Sequence, residues 1–193
     1  MTTKTPIILA SASPRRALLL NMLGTPFSVV HPECDETYPP ESPPEEAVKL
    51  LAVRKAEEVA RRTDSEDIII AADTMVSSRG LILGKPRDEN DAYHMLRTLS
   101  GISHDVYTGL AVRNKGRTIA EVQKTRVFFR ELRDDEIWDY IRSGTPMDKA
   151  GSYGIQDRGA LFVTRVEGDF YNVMGLPICL LHQMLKLNTT RGL

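Results

Sequence analysis

Arg15 and Arg16 directly follow Ser11, Ser13 and Pro14 in the stretch SASPRR, where the sequence marks the opening turn of a helix. Ser13 suits the N-cap and Pro14 suits the first helical position. Two guanidinium groups at the positive end of a helix dipole are out of place unless an anion joins them. Lysines extend the pattern: Lys55 on the apolar side of a predicted helix, Lys85 in LGKP, and Lys149 in the glycine-rich stretch MDKAGSYGIQDRG. Against these cations stand Glu36, in an acidic loop, and Asp73, at the end of the apolar run DIIIAAD. Cations for phosphates and carboxylates for a hard divalent ion are what a metal–polyphosphate site requires. Each residue alone has a plainer reading. Asp73 is a turn or cap residue, Lys55 buries its stem and keeps its head in water, and Glu36, Lys85 and Lys149 are surface charges.

Other chemistries lack their residues. GLILGKP has three residues between its glycines where a P-loop has four, and Pro86 replaces the hydroxyl residue that would follow the lysine. His31, His94, His104 and His182 show no zinc-ligand spacing, and no GxSxG motif is present. The two cysteines, Cys34 and Cys179, form neither a CxxC pair nor a disulfide framework. A net charge of −1 with 26% charged residues argues against a nucleic-acid binder. No apolar run approaches the roughly eighteen residues of a membrane span, and the N-terminus lacks a signal-peptide pattern, so the expected setting is cytoplasmic.

The elements that must position these residues follow from pattern. Ile7–Ala10 reads as a strand, followed by a helix from Pro14 to about Leu23 that Gly24 stops. Phe27–His31 reads as a second strand. SPPE at Ser42–Glu45 reads as a capping box opening a helix to about Arg62, with Val48, Leu51, Ala52, Lys55 and Val59 on one side. DIIIAAD reads as a buried strand ending at Asp73, and Leu81–Leu83 as a short strand reached through a loop. Asp88 caps a helix that Gly101 closes, and two long strands flank the hairpin signal Asn114–Gly116. Asp134–Ser143 is a helix, and the polar stretch after it is too rich in glycine for an element. Leu161–Val166 and Phe170–Val173 are expected as a hairpin across EGD, Pro177–Leu187 as a closing helix, and 188–193 as a fraying tail. The sum is a mixed α/β fold, one domain over 1–193 with a large twisted sheet and two lobes about a central cleft.

ILASASPRRALLL, AADTMV, LGKP, MLRTLSG, PMDKAGSYGIQ, GALFV and VMGLP together resemble the Maf family of nucleotide pyrophosphatases, over about Ile7 to Leu187. The resemblance implies a fold akin to the inosine-triphosphate pyrophosphatases and hydrolysis of a nucleoside triphosphate to monophosphate and pyrophosphate. It implies a divalent cation (Mg²⁺, Mn²⁺ or Co²⁺) on Glu36 and Asp73. Asp73 matches the family's proton acceptor, and Arg16, Glu36, Lys55 and Lys85 match its other active-site polar positions. Ser11, Ser13, Arg15, Arg16, Thr74, Lys149 and Gln156 are the implied substrate contacts, with Asp148 beside them in the C-terminal loop. Arg15, Thr74 and Gln156 resemble the dTTP/UTP branch, in contrast to the tryptophan, glutamine and glutamate of the branch acting on 7-methyl-GTP. The family also suggests a homodimer, a nucleotide-pool housekeeping role and a link to septum formation, with neither nucleic acid nor membrane as partner. A non-catalytic nucleotide-binding regulator of cell division stands as the alternative.

Overall fold

Ile7–Ala10 (β1) and Ile68–Ser78 (β3) are apolar on both faces because each is covered on both sides of the sheet, as parallel strands are. The computed structural model describes residues 6–63 and 67–190. β1 lies between two parallel partners, Phe27–Val30 (β2) and β3, with Ala10 opposite Val30 on one side and Ala71 on the other. The remaining strands are Leu81–Leu83 (β4), Ser103–Asn114 (β5), Arg117–Phe129 (β6) and Val163–Glu167 (β7). They complete a seven-stranded mixed sheet in the order β2-β1-β3-β5-β6-β7, with β4 paired to β3. The helices are Pro14–Leu20 (α1), Pro44–Thr63 (α2), Glu89–Leu99 (α3), Asp134–Arg142 (α4), Phe170–Met174 (α5) and Ile178–Thr190 (α6). Among the described residues, no helix is long and apolar enough to cross a membrane.

Two compact units divide the chain. The first comprises Met1–Asp73, Thr108–Gln123 and Gly175–Leu193. Its core sets Ala52, Ala56, Val59 and Ala60 of α2 against Ile8, Ala10, Ile69, Ala71 and Ala111 of the sheet. The alanines let the helix approach closely, and Gly109 takes this to its limit: a Cβ there would stand 2.2 Å from the Val48 carbonyl oxygen of α2. The second unit comprises Thr74–Tyr107 and Lys124–Met174. Its core gathers Leu96, Leu99, Val127, Phe129, Ile137, Tyr140, Ile141, Tyr153 and Phe162, among others.

Several expectations are corrected. β3 does not end at Asp73 but runs on to Ser78, because Val76–Ser78 find new antiparallel partners in Leu81–Leu83 across a tight turn at Arg79–Gly80. Pro43, not Ser42, supplies the first carbonyl of α2, accepting from the Glu46 and Ala47 amides. The stretch after α4, expected to be too rich in glycine for an element, forms three 3₁₀ turns at Thr145–Asp148, Ala150–Ser152 and Arg158–Phe162. The expected last hairpin is absent: Val163–Glu167 pairs with β6, and Phe170–Met174 is helical, with the Asp169 carboxylate accepting from the Tyr171 amide at 2.8 Å. α6 continues past Leu187 to Thr190, and residues 191–193 of the expected tail lie outside the described residues.

A buried histidine makes the second unit acid-sensitive. His104 on β5 is 2% exposed, packed edge-on against Phe129 and Tyr153. Its Nε2 meets the Tyr153 hydroxyl at 2.8 Å, and its Nδ1 has no partner among the described residues. Burial pushes the imidazole from its ordinary 6.5 down to about 4. The unfolded chain therefore takes up a proton that the folded chain refuses. The associated stability is fully present above about pH 6.5 and is lost as the pH falls to about 4, some ~3 kcal/mol in all. His104→Phe is expected to weaken the fall in melting temperature between about pH 7 and pH 5. Thermal melts of parent and variant across that range check this, and parallel curves would refute it.

Candidate active site

α1 begins one turn after β1 ends, so the chain turns sharply through Ser11–Ser13. The Ser11 side chain is buried in that turn, and its Oγ accepts from the Ser13 amide at 3.1 Å and from Arg16 Nη1 at 3.4 Å. Ser13 occupies the N-cap position in extended conformation, but its side chain makes no capping bond. Arg16 Nε donates to the Gly175 carbonyl at 2.8 Å. Burial and Arg15 lower the Arg16 pKa while Asp73 and Glu36 oppose the shift, and a guanidinium keeps its charge through such changes. The two carboxylates and the Gly175 carbonyl thus compensate within the fold for a cation at a helix start. Arg15 beside it is half-buried.

Lys55 contradicts the surface-stem reading. Its side chain is 7% exposed, and its ammonium donates to Asp73 Oδ1 at 2.5 Å and reaches Glu36 Oε1 at 2.7 Å. Asp73 lies two residues beyond Ala71, the last residue of β3 paired with β1, and is itself buried. It is thus placed where the carboxyl end of a neighbouring parallel strand leaves room for a ligand. Glu36 comes from the loop before α2 and is exposed. Ser11, Arg16, Glu36, Lys55 and Asp73 form one cluster in the first unit.

The second unit holds the remaining residues. Thr74 is half-buried on β3 and, as the next residue after Asp73, belongs to the opposite face of the strand. Lys85 is exposed, without an ion pair among the described residues. Its loop is tied to the Lys149 loop by the Gly151 amide, which donates to the Gly84 carbonyl at 3.0 Å. Lys149 is buried rather than a loose loop charge: Nζ contacts Asp148 Oδ1 at 2.7 Å, the Thr145 carbonyl at 2.5 Å and Asp157 Oδ2 at 3.6 Å. Gln156 is exposed at the tip of a turn. Sequence reasoning overlooked Tyr140 and Asp157, which brace that turn: Tyr140 Oη donates to Asp157 Oδ1 at 2.8 Å. The only sequence signal for Asp157 is its place among three glycines, Gly151, Gly154 and Gly159, and for Tyr140 there is none, because it reads as one more apolar position of α4.

Residues 6–188 match the sequence model of the family described as Maf-like protein. This chain belongs to the Maf-like family. A dTTP/UTP pyrophosphatase of Bacillus cereus (strain G9842) is 47% identical to this Maf-like protein over 180 residues, 93% of this chain and 94% of the relative. One from Bacillus cytotoxicus, also named dTTP/UTP pyrophosphatase, is 49% identical over 179 residues, 93% of each. The solved structure of the Staphylococcus aureus Ham1 protein aligns over 64% of this chain and 71% of its own at 14% identity, with a TM-score of 0.43. That last likeness is too distant to bear on chemistry.

Could the cluster accept a divalent cation? Two carboxylates that reach the same ammonium are necessarily close to one another, and both offer hard oxygen donors. Among the described residues, no group of three or more His, Cys, Asp or Glu could hold a metal alone. A site with two protein carboxylates, completed by substrate phosphates and water, is the way Mg²⁺ is bound in phosphoryl enzymes, so the residues fit.

Proposed function

We propose that this Maf-like protein hydrolyses dTTP and UTP between the α and β phosphates, giving the nucleoside monophosphate and pyrophosphate. The observation that carries this reading is the Asp73–Lys55–Glu36 triad with Arg16 beside it. A protein that only bound a polyphosphate would gain nothing from aiming two carboxylates at its charge. A hydrolase needs one to take a proton from water and both when a metal bridges protein and substrate.

The roles divide as follows. Lys55 fixes Asp73 through Oδ1, leaving Oδ2 to accept the proton of the water that attacks the α-phosphorus in line. Arg16, already oriented by Gly175 and Ser11, together with Arg15, Lys85 and Lys149, stabilises charge on the phosphates and the departing pyrophosphate. A divalent ion bound by Glu36 and Asp73 supplies further neutralisation of the triphosphate. Arg15, Thr74 and Gln156 are the proposed specificity set. Gln156 offers both a donor and an acceptor for the alternating edge of uracil or thymine. The homodimer and the cytoplasmic setting are carried by resemblance and composition alone.

Product analysis tests the reaction. With Mg²⁺ or Mn²⁺, dTTP and UTP are expected to yield monophosphate and pyrophosphate, and GTP to be a much poorer substrate. Orthophosphate with a diphosphate would overturn the cleavage site, and equal turnover of GTP would overturn the pyrimidine preference.

A further inference from the structure

The turn that presents Gln156 is closed at its neck by an unusually specific set of contacts. Tyr140 Oη accepts from the Gly154 amide at 3.0 Å and donates to Asp157 Oδ1 at 2.8 Å. The same Asp157 oxygen accepts from the Gly159 amide at 2.8 Å, and the Asp157 carbonyl accepts from the Ala160 amide at 2.9 Å. The two sides of the neck approach closely: a side chain at Gly159 would strike backbone, and one at Gly154 would displace the Asp157 carboxylate. A Cβ on Gly154 would stand 2.1 Å from Asp157 Oδ2, and one on Gly159 would stand 2.7 Å from the Gly154 carbonyl and 2.9 Å from Tyr140 Oη.

The anchor is the hydrophobic core itself. The Tyr140 ring is 1% exposed and packs edge-on against Phe162, with centroids 5.2 Å apart. Burial, reinforced by Asp157, pushes its hydroxyl far above the ordinary phenol range, so it remains a donor at any working pH. Gln156 is the opposite case: its side chain is exposed and has no hydrogen bond among the described residues, while the backbone on either side of it is pinned.

We propose that Tyr140 and Asp157 are positioning residues for base selection, holding the Gln156 turn in its binding conformation before substrate arrives. The inference rests on the reading of Gln156 as a base-contacting residue. Discrimination by hydrogen bonds depends on donors and acceptors being in place without reorganisation, and displacements near 1 Å are costly. A hydroxyl fixed by the core adds hydrogen bonds across the neck to the packing that Tyr153 and Ile155 already give one side of the turn. Neither residue touches substrate in this scheme. Tyr140 acts through Gln156, and Asp157 acts through Gln156 and also reaches Lys149 by Oδ2 at 3.6 Å. That second contact is a phosphate-side effect common to dTTP and GTP, so it cancels in their ratio.

The test compares kcat/KM for dTTP with that for GTP, alongside melting curves. Tyr140→Phe keeps the ring and removes both bonds, and is expected to lower the dTTP/GTP ratio about tenfold or more, mainly by raising KM for dTTP. Asp157→Ala cuts the neck from its half-buried side and should give the same loss even where Tyr140→Phe folds poorly. Asp157→Asn keeps an acceptor at Oδ1 and should hold the ratio within about threefold. In a Gln156→Ala background, Tyr140→Phe should change the ratio no further. If Gln156→Ala collapses the ratio while Tyr140→Phe and Asp157→Ala preserve it, the positioning role is overturned and the base contact stands. If Gln156→Ala itself leaves the ratio unchanged, the base contact fails, and the positioning role with it.

Discussion

Asp73→Asn is expected to lower kcat by about a hundredfold or more while the protein stays folded. The substitution is nearly isosteric, and an asparagine Oδ1 still accepts from the Lys55 ammonium that now donates to Asp73 at 2.5 Å. Lys55 also keeps Glu36 at 2.7 Å, so the buried cation is not stranded. The amide cannot take a proton from water, and it is a far poorer ligand for a hard cation. Steady-state kinetics at saturating metal, with a melting curve on the same sample, separate chemistry from folding. A variant with near-parental kcat would make Asp73 structural and remove the basis of the proposed reaction.

Gly109→Ala should produce the largest loss of stability of any single methyl group added to the first unit. The new Cβ would meet the Val48 carbonyl oxygen at 2.2 Å and the Lys49 amide nitrogen at 2.7 Å, and both belong to the backbone of α2. No rotamer change relieves such a clash, so the helix must lift from β5. Overpacking of this kind costs about 3 kcal/mol or more. Because Lys55 rides on the same helix, activity should fall too. Gly84→Ala is the control, since a Cβ there meets nothing within 4 Å. Urea unfolding of both variants checks the contrast, and a Gly109→Ala midpoint equal to that of Gly84→Ala would refute it.

Much of the architecture was legible because local signals and burial agree. Ile7–Ala10, the Asp88-capped α3 and the hairpin at Lys115–Gly116 all stand where pattern placed them, the Asp88 carboxylate accepting from the Asp91 amide at 2.8 Å. The C-terminal hairpin was misread because Phe170, Tyr171 and Val173 favour strands by type. Tertiary contacts decide otherwise. Asn172 is fully buried, and its amide donates to the Val106 carbonyl and to Thr125 Oγ1, both at 3.0 Å, which a helical turn at Phe170–Met174 makes possible.

The charged residues of the site were visible one at a time, but their pairing was not. Nothing in spacing says that Lys55 turns inward to Asp73, eighteen residues on, rather than outward to water. Lys149 hid in the same way, since its partners Thr145 and Asp157 flank it in a stretch that lacks regular periodicity. Such choices are settled by which carboxylates the fold brings within reach of a buried ammonium, a non-local property that hydrophobic pattern does not encode.

Arg16 is held by a carbonyl that lies 159 residues further along the chain, at Gly175. A ribosome releases the polypeptide from its N-terminus at about 5–20 residues per second, so this guanidinium waits roughly ten seconds or longer for its partner to be synthesised. The unit that contains Arg16, Lys55 and Asp73 also draws on Thr108–Gln123 and on Gly175 onwards. A nascent or prematurely terminated chain that lacks Gly175 therefore carries Asp73 without the seated Arg16. On the roles proposed for Arg16 and Asp73, hydrolytic competence would then belong to finished molecules and not to fragments.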